Sequence, residues 1–327
     1  MSPELPIALL AGVVLGASAH RAGLCTVKAV AELLTTRRAH VLWSFIKASL
    51  WTTGLLSAAA LFGTEVTLGQ RPLLASAVLG GLFFGMGAAL NGACSFSTLS
   101  RLAEGHLVIL ATLAGWAVAI PPFATVWPDF HQPVPQAGIP RPVVLPLFLW
   151  MLWELTGLWR RRRPIAHSIR AGAWALSLAV FLIALANSAL ILAGRPWSFT
   201  STALCSAGNL PIAPCRDTGF LWLISGTALM TMIASARLRG SFRLRPPRPA
   251  AAVRHFLGGL AMGTGASLIP GGNDGLILFG LPALSPHALP AWLAIVAGIA
   301  LPLTLMRRLG LHLPKISCEG DVCRSLP

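Results

Sequence analysis

Two cysteines carry the most distinctive chemistry in this chain. Cys25 and Cys94 each stand two residues after a glycine, in Gly23-Leu24-Cys25 and Gly92-Ala93-Cys94, where a hydrophobic run ends. A thiol at such a break is a small apolar filler or a soft group that touches a sulfur-bearing solute. Its recurrence after the same glycine favours the second reading. A third candidate is Pro270-Gly271-Gly272-Asn273-Asp274, a turn that suits the opening of a new helix,. The first N–H groups of such a helix offer partial positive charge to an anion, although Asp274 suits a cap as well as a substrate contact. His20, Arg21, Lys47 and Arg195 are secondary candidates. His20 and Arg21 precede Cys25 and could line a path. Lys47 is an intramembrane charge, functional or snorkelling to the interface. Arg195 is an anion attractor or an interfacial anchor at the outer mouth. His287, in Ser285-Pro286-His287, reads as a loop residue.

The elements that position these groups are membrane helices. Of the 327 residues, 55% are hydrophobic and 11% charged, against roughly 25% charged in soluble domains. Mean hydropathy is +0.73. Several apolar runs approach or reach the ~17–25 residues that a membrane helix needs. They cover 6–19, 41–62, 72–90, 107–126, 143–159, 172–193, 219–236, 255–269 and 288–306, the first being short for a full span. The sequence therefore predicts an all-α polytopic membrane protein with about nine transmembrane helices and short re-entrant helices in inverted-repeat halves. The divisions expected are a first membrane half at 1–159, a basic linker at 160–171, a second half at 172–306 and a tail at 307–327.

The net charge of +15 gathers beside the spans, at Arg37-Arg38, Arg101, Arg160–Arg163, Arg237–Arg254 and Arg307-Arg308. That pattern sets orientation and argues against a nucleic-acid partner. It places the N-terminus outside and the C-terminus in the cytoplasm. Trp43, Trp51, Trp127, Trp150, Trp159 and Trp197 fall near span ends or flanking loops, as interfacial belts do. Cys205 and Cys215 then share an outer loop at 194–218 and could form a disulfide, whereas Cys318 and Cys323 face a reducing compartment. No Cys/His metal spacing, Walker loop or hydrolase signature is present, so no metal, cofactor or enzyme activity is expected.

An internal repeat ties the candidates together. Aligning Gly12 with Gly81 brings Gly16 onto Gly85, Gly23 onto Gly92 and Cys25 onto Cys94. A third copy, Gly258–Leu268, matches Gly80–Leu90 at seven of eleven positions and runs into Pro270-Gly271-Gly272. Glycines at this spacing pack membrane helices closely. Packing alone does not account for the polar, turn-forming break that ends each copy. Non-helical backbone at membrane depth must be buried in protein or line a cavity, and interrupted helices in transporter repeats meet at the substrate site.

With Gly-x-x-x-Gly…Gly-x-Cys duplicated, and Gly194-Arg195-Pro196-Trp197 and Pro270–Asp274 in the second half, the chain resembles the YeeE/YedE membrane proteins over about 5–306. The resemblance implies uptake of a small sulfur-containing anion, thiosulfate or a related species, through an hourglass in the bacterial inner membrane. It implies passage along Cys25 and Cys94 by S–H···S contacts, and a small cytoplasmic TusA-like sulfur carrier as partner. The family's cysteine in the second-half turn is replaced here by Gly272-Asn273-Asp274. A membrane sulfur-transfer or redox protein that uses the cysteines covalently is the competing reading, and a non-transporting subunit a further one.

Overall fold

The computed structural model describes residues 4–126, 134–170, 172–207, 215, 217–311, 316–319 and 321–325. The helices in chain order are α1 (Glu4–Ala22), α2 (Thr26–Thr36), α3 (His40–Leu61), α4 (Ala75–Asn91), α5 (Ser95–Ala103), α6 (Ile109–Val126) and α7 (Arg141–Arg160). They continue as α8 (Arg162–Arg170), α9 (Leu176–Leu192), α10 (Phe199–Ser206), α11 (Thr218–Leu238), α12 (Pro249–Leu268), α13 (Gly272–Gly275) and α14 (Ala288–Arg308). A π turn, Leu276–Gly280, extends α13. Among the described residues two short antiparallel strand pairs complete the chain: β1 (Leu68–Gly69) pairs with the distant β2 (Gln136–Ala137), and β3 (Ile316–Glu319) forms a hairpin with β4 (Val322–Ser325).

Helices α1, α3, α4, α6, α7, α9, α11, α12 and α14 have 17 to 22 residues. At 1.5 Å per residue they are about 25–33 Å long, matching a hydrocarbon core of about 30 Å. Five stretches are long and apolar enough to cross a membrane outright: Leu5–Thr36, Ala75–Ala103, Pro142–Arg160, Thr218–Leu238 and Ala288–Arg308. Large apolar side chains such as Leu10, Leu145, Trp153 and Leu301 stay exposed. On a soluble protein such a surface would aggregate; here it faces lipid. The chain is an all-α polytopic membrane protein.

The packing is built from parallel pairs held by glycine. A Cβ at Gly16 would fall 2.4 Å from the Ala228 carbonyl oxygen, one at Gly85 2.3 Å from that of Ile295, and one at Gly259 2.1 Å from that of Thr112. Only hydrogen fits at such points, so α1 lies on α11, α4 on α14 and α12 on α6 with backbones nearly touching. Helix α9 packs on both α1 and α3. Helices α4 and α12 cross antiparallel, Gly80 near Leu268 and Gly87 near Gly258. The repeat glycines are thus packing contacts.

Helix ends sort onto two faces. Arg21, at the end of α1, donates to Ser235 near the end of α11 and to the Gly172 carbonyl. Arg307 donates to the Leu34 carbonyl at the end of α2, and His106 contacts Arg245. The basic clusters therefore share one face, called here the arginine face. The β1–β2 strand pair, Gln70, Arg71 and Ser285 meet at the opposite face.

Several expectations need correction. The first run is a full 19-residue helix, because His20 and Arg21 stay helical by bonding to Ser235. The polar 194–218 stretch holds α10, whose hydroxyls satisfy one another and the backbone. Trp51 and Trp197 are buried rather than interfacial. Trp51 packs edge-on against Trp150 and Phe181; Trp197 packs against Phe199 and donates to Ser225. Trp43 and Trp159 are exposed as expected, and Trp127 lies outside the described residues. Cys205 and Cys215 are disulfide-bonded. The tail forms the β3–β4 hairpin, closed by a Cys318–Cys323 disulfide.

Candidate functional site

Four short helices point their N-termini at one another inside the bundle. Helices α2 and α5 start there and run to the arginine face. Helices α10 and α13 start there and run to the opposite face. The break before each has a local cause. Gly23 and Gly92 take left-handed backbone (φ 63° and 68°), which ends α1 and α4 and lets the chain turn back,. Gly194, also left-handed, does the same before α10, and Gly271 and Gly272 do so before α13. The fold therefore carries four copies of the broken element, one more than the sequence repeat shows.

The residues at the N-caps are Cys25, Cys94, Ser198 and Gly271. Both cysteines are free thiols, 1% and 0% exposed. The Thr26 backbone N–H points at Cys94 Sγ, 3.4 Å away. Ser97 Oγ lies 2.9 Å from Cys25 Sγ and 3.5 Å from Cys94 Sγ, and accepts from the Cys94 N–H at 2.9 Å. One hydroxyl therefore touches both sulfurs while capping α5. Asn273 Nδ2 donates to Thr26 Oγ1 at 3.0 Å, which brings the α13 turn onto the cysteine pair. Its Oδ1 is buried without a hydrogen-bond partner among the described residues. A Cβ at Gly272 would meet the Thr200 side chain at 2.8 Å and the Phe84 ring at 3.2 Å.

Asp274 is placed differently from a simple path residue. Its carboxylate accepts from the Thr200 backbone N–H at 3.0 Å and from the Thr200 hydroxyl. It caps α10, across the junction, rather than its own helix. The Asp274 carboxyl thus meets the N-terminus of α10 and also reaches Ser95 at the start of α5, while the N-terminus of α2 faces sulfur and hydroxyl groups. An anion is favoured at that cysteine side, where two N-termini each carry about half a positive charge.

Beyond the junction lie two approaches. On the opposite face, a cavity of about 160 Å³ is lined by Arg71, Leu74, Ser76, Pro270 and His287, among others. Pro270 lies between that cavity and the junction. Toward the arginine face, a Cβ on Gly92 would lie 3.4 Å from Arg101 Nη1, and one on Gly23 3.7 Å from Lys28 Nζ. Both glycines thus sit beside cations. Further out, His20 contacts Glu104 at 3.5 Å. Burial pushes the Glu104 carboxyl up, but the hydrogen bond and charge of His20 outweigh it and leave it below the ordinary value,.

The secondary candidates separate from this centre. His20 and Arg21 hold the end of α1 to α11 through Ser235. Lys47 is paired with Glu154 of α7 and lies 3.5 Å from Ser177 of α9, so it joins three helices away from the cysteines. Arg195 pairs with Asp217 at 3.4 Å and stacks over the Phe220 ring, 4.9 Å from its centroid.

Sequence reasoning passed over Thr26, Ser97, Ser198 and Thr200. A hydroxyl residue in the first turn of α2, α5 and α10 was the available signal, in Cys25-Thr26, Cys94-Ser95-Phe96-Ser97 and Ser198-Phe199-Thr200. It also passed over Asn91, fully buried at the end of α4. The Thr112 hydroxyl and His255 Nδ1 both contact its Oδ1 at 2.7 Å, and its Nδ2 donates to Thr98 Oγ1. That network fastens the α4–α5 break to α6 and α12.

Comparison with known proteins agrees with the motif resemblance. A family model described as sulphur transport matches residues 21–301. Two curated proteins are similar, each named "Probable transporter YedE". The Escherichia coli (strain K12) protein is 30% identical over 132 residues, and the Salmonella typhimurium (strain LT2) protein 32% identical over 132 residues. Each alignment covers 39% of this chain and 31% of the relative, so the matched segment spans about a third of those proteins.

Proposed function

Because the chain belongs to the sulphur-transport family, we propose that it is a permease for a small sulfur-containing anion, thiosulfate or a close relative. The observation that carries this reading is the convergence of short helix N-termini on Cys25 and Cys94 at the middle of the bundle. Thiosulfate has a soft terminal sulfur and three hard oxygens. The thiols of Cys25 and Cys94 suit the sulfur. The N–H groups, Ser97, Thr26 and Asn273 suit the oxygens.

The route runs from the Arg71–His287 cavity past Pro270, Gly271 and Gly272 to Asn273 and the two cysteines. It leaves beside Gly23 and Gly92, where Lys28 and Arg101 stand. Asp274 serves this route indirectly, by capping the start of α10 and so holding that helix at the junction. Passage is non-covalent in this account. Among the described residues the groups hydrogen-bonded to the two sulfurs are Ser97, the Thr26 and Cys94 N–H groups and the partner thiol, and no histidine or carboxylate is hydrogen-bonded to either as a base,.

The membrane we propose, from the family resemblance, is the bacterial inner membrane; by the positive-inside rule the arginine face is cytoplasmic and the N-terminus lies outside. A dianion entering against a negative-inside potential climbs about 4.6 kcal/mol at about 100 mV. Consumption at the inner face offsets that climb, and a TusA-like sulfur carrier is the partner we propose for it. The test is uptake of radiolabelled thiosulfate, with sulfite and sulfate alongside, into vesicles reconstituted with the protein. Accumulation above protein-free vesicles is expected for thiosulfate; no uptake of any of the three anions overturns the reading.

A further inference from the structure

A second cluster of reactive side chains lies at the arginine face, away from the cysteine junction. Glu32, near the end of α2, is 1% exposed, and its carboxylate is the hub. Oε1 lies 3.1 Å from His40 Nδ1 and 3.4 Å from Cys318 Sγ, and Oε2 accepts from the Val41 N–H at 3.0 Å. Among the described residues its ionic contact is His40 alone, so a buried carboxylate stands with a neutralisable imidazole and sulfur. The donor atoms of Glu32, His40 and Cys318 all lie within 4.8 Å of one another. Cys318 is directly opposite Cys323 in the β3–β4 hairpin, and the two are joined as a disulfide here.

We propose that Glu32, His40, Cys318 and Cys323 form a redox-controlled zinc site that clamps the C-terminal hairpin onto α2 and the start of α3. A dithiol reductant supplies two electrons and two protons to the Cys318–Cys323 bond, giving two thiols and the oxidised reductant. Zinc then binds both sulfurs as thiolates and releases two protons. The set becomes Cys₂HisGlu, a closed four-ligand site of structural type. Tetrahedral zinc with bonds of about 2.0–2.3 Å places its donors about 3.3–3.8 Å apart. The observed spread therefore needs to contract by about one ångström, within reach of rotations about χ1 and χ2. Cross-strand cysteines freed from their bond remain neighbours, since the hairpin register holds them. His40 is half exposed, which gives the ion a route in from water.

Sequence spacing gave no hint of such a site, because its donors come from α2, the first residue of α3 and the tail. Its effect is mechanical. The hairpin also anchors α9, since Asp321 accepts from the backbone N–H groups of Leu176 and Ser177. Zinc would lock α2, whose other end presents Cys25, to that anchor. In a reducing cytoplasm the dithiol and its metal are the stable form, and oxidation ejects the ion.

The experiment is cobalt(II) titration of the full-length protein in detergent after reduction. One cobalt per chain is expected, with the intense visible bands of a tetrahedral site and a sulfur-to-cobalt charge-transfer band, both erased by zinc. Diamide should release the ion, and renewed reduction should restore binding. Cys318→Ser should abolish the charge-transfer band or halve it. His40→Gln, which keeps a hydrogen-bond donor beside Glu32, and His40→Ala, each checked for wild-type thermal unfolding, should weaken binding at least tenfold. A Cys25→Ser/Cys94→Ser protein should titrate like wild type. The proposal is overturned if the reduced wild type shows no tetrahedral cobalt. It is overturned equally if Cys318→Ser/Cys323→Ser binds like wild type, if His40→Ala is without effect, or if removing Cys25 and Cys94 abolishes the signal.

Discussion

Replacing Ser97 with alanine removes one hydroxyl that serves both sulfurs. Its Oγ donates toward Cys25 Sγ at 2.9 Å and accepts from the Cys94 backbone N–H at the same distance. Alanine fits the space, so no clash accompanies the change. What remains is a buried Cys94 N–H with only the weak Cys25 sulfur to accept it. A buried donor left unpaired costs about 1–3 kcal/mol. If that cost falls on the barrier to passage, the uptake rate drops by about fivefold to a hundredfold. The assay is the initial rate of labelled thiosulfate uptake into vesicles, normalised to reconstituted protein, with thermal unfolding in detergent run in parallel. Ser97→Thr keeps the hydroxyl and should recover most of the rate. The reasoning is refuted if Ser97→Ala transports within twofold of wild type at unchanged thermal stability. It is refuted equally if a well-folded Ser97→Thr is as slow as Ser97→Ala, because the hydroxyl would then not be the cause.

Three further outcomes follow from the packing. Asp274→Ala strands the Thr200 N–H and hydroxyl at the start of α10; a loss of about 1–3 kcal/mol is expected in thermal or denaturant unfolding. Lys47→Met alone should destabilise by about 3–5 kcal/mol by leaving Glu154 unpaired, whereas Lys47→Met/Glu154→Leu should be near neutral. The double variant should also transport, because the pair lies away from the cysteines. Gly259→Ala places a methyl 2.1 Å from the Thr112 carbonyl oxygen and should cost about 1–3 kcal/mol as α6 and α12 are forced apart.

Much of the fold is legible in the sequence because membranes impose few solutions. Apolar runs of span length, basic clusters between them and glycines every four residues can each be read without partners. The Gly-x-Cys breaks are legible for the same reason, since a left-handed glycine ends a helix wherever it lies. What escaped is either short or non-local. Helix α10 is eight residues with three consecutive hydroxyl side chains, Thr200, Ser201 and Thr202, and reads as a loop until Asp274 caps it from another helix. Lys47 could not be resolved from sequence because Glu154, its partner, belongs to a helix far along the chain. Trp197 follows a turn and looked interfacial, yet the chain re-enters the bundle there and buries it. Ser97 gave a signal only as part of a hydroxyl pattern shared by the short helices. The Glu32–His40–Cys318 cluster has no sequence spacing at all.

The most direct test of the central claim, that a sulfur anion passes between the thiols at the meeting point of the short helices, is thiosulfate uptake by Cys94→Ser vesicles. Serine preserves size and capping ability but removes the soft sulfur. The account predicts that uptake falls at least tenfold while the variant unfolds at the wild-type temperature. Uptake at the wild-type rate would contradict it.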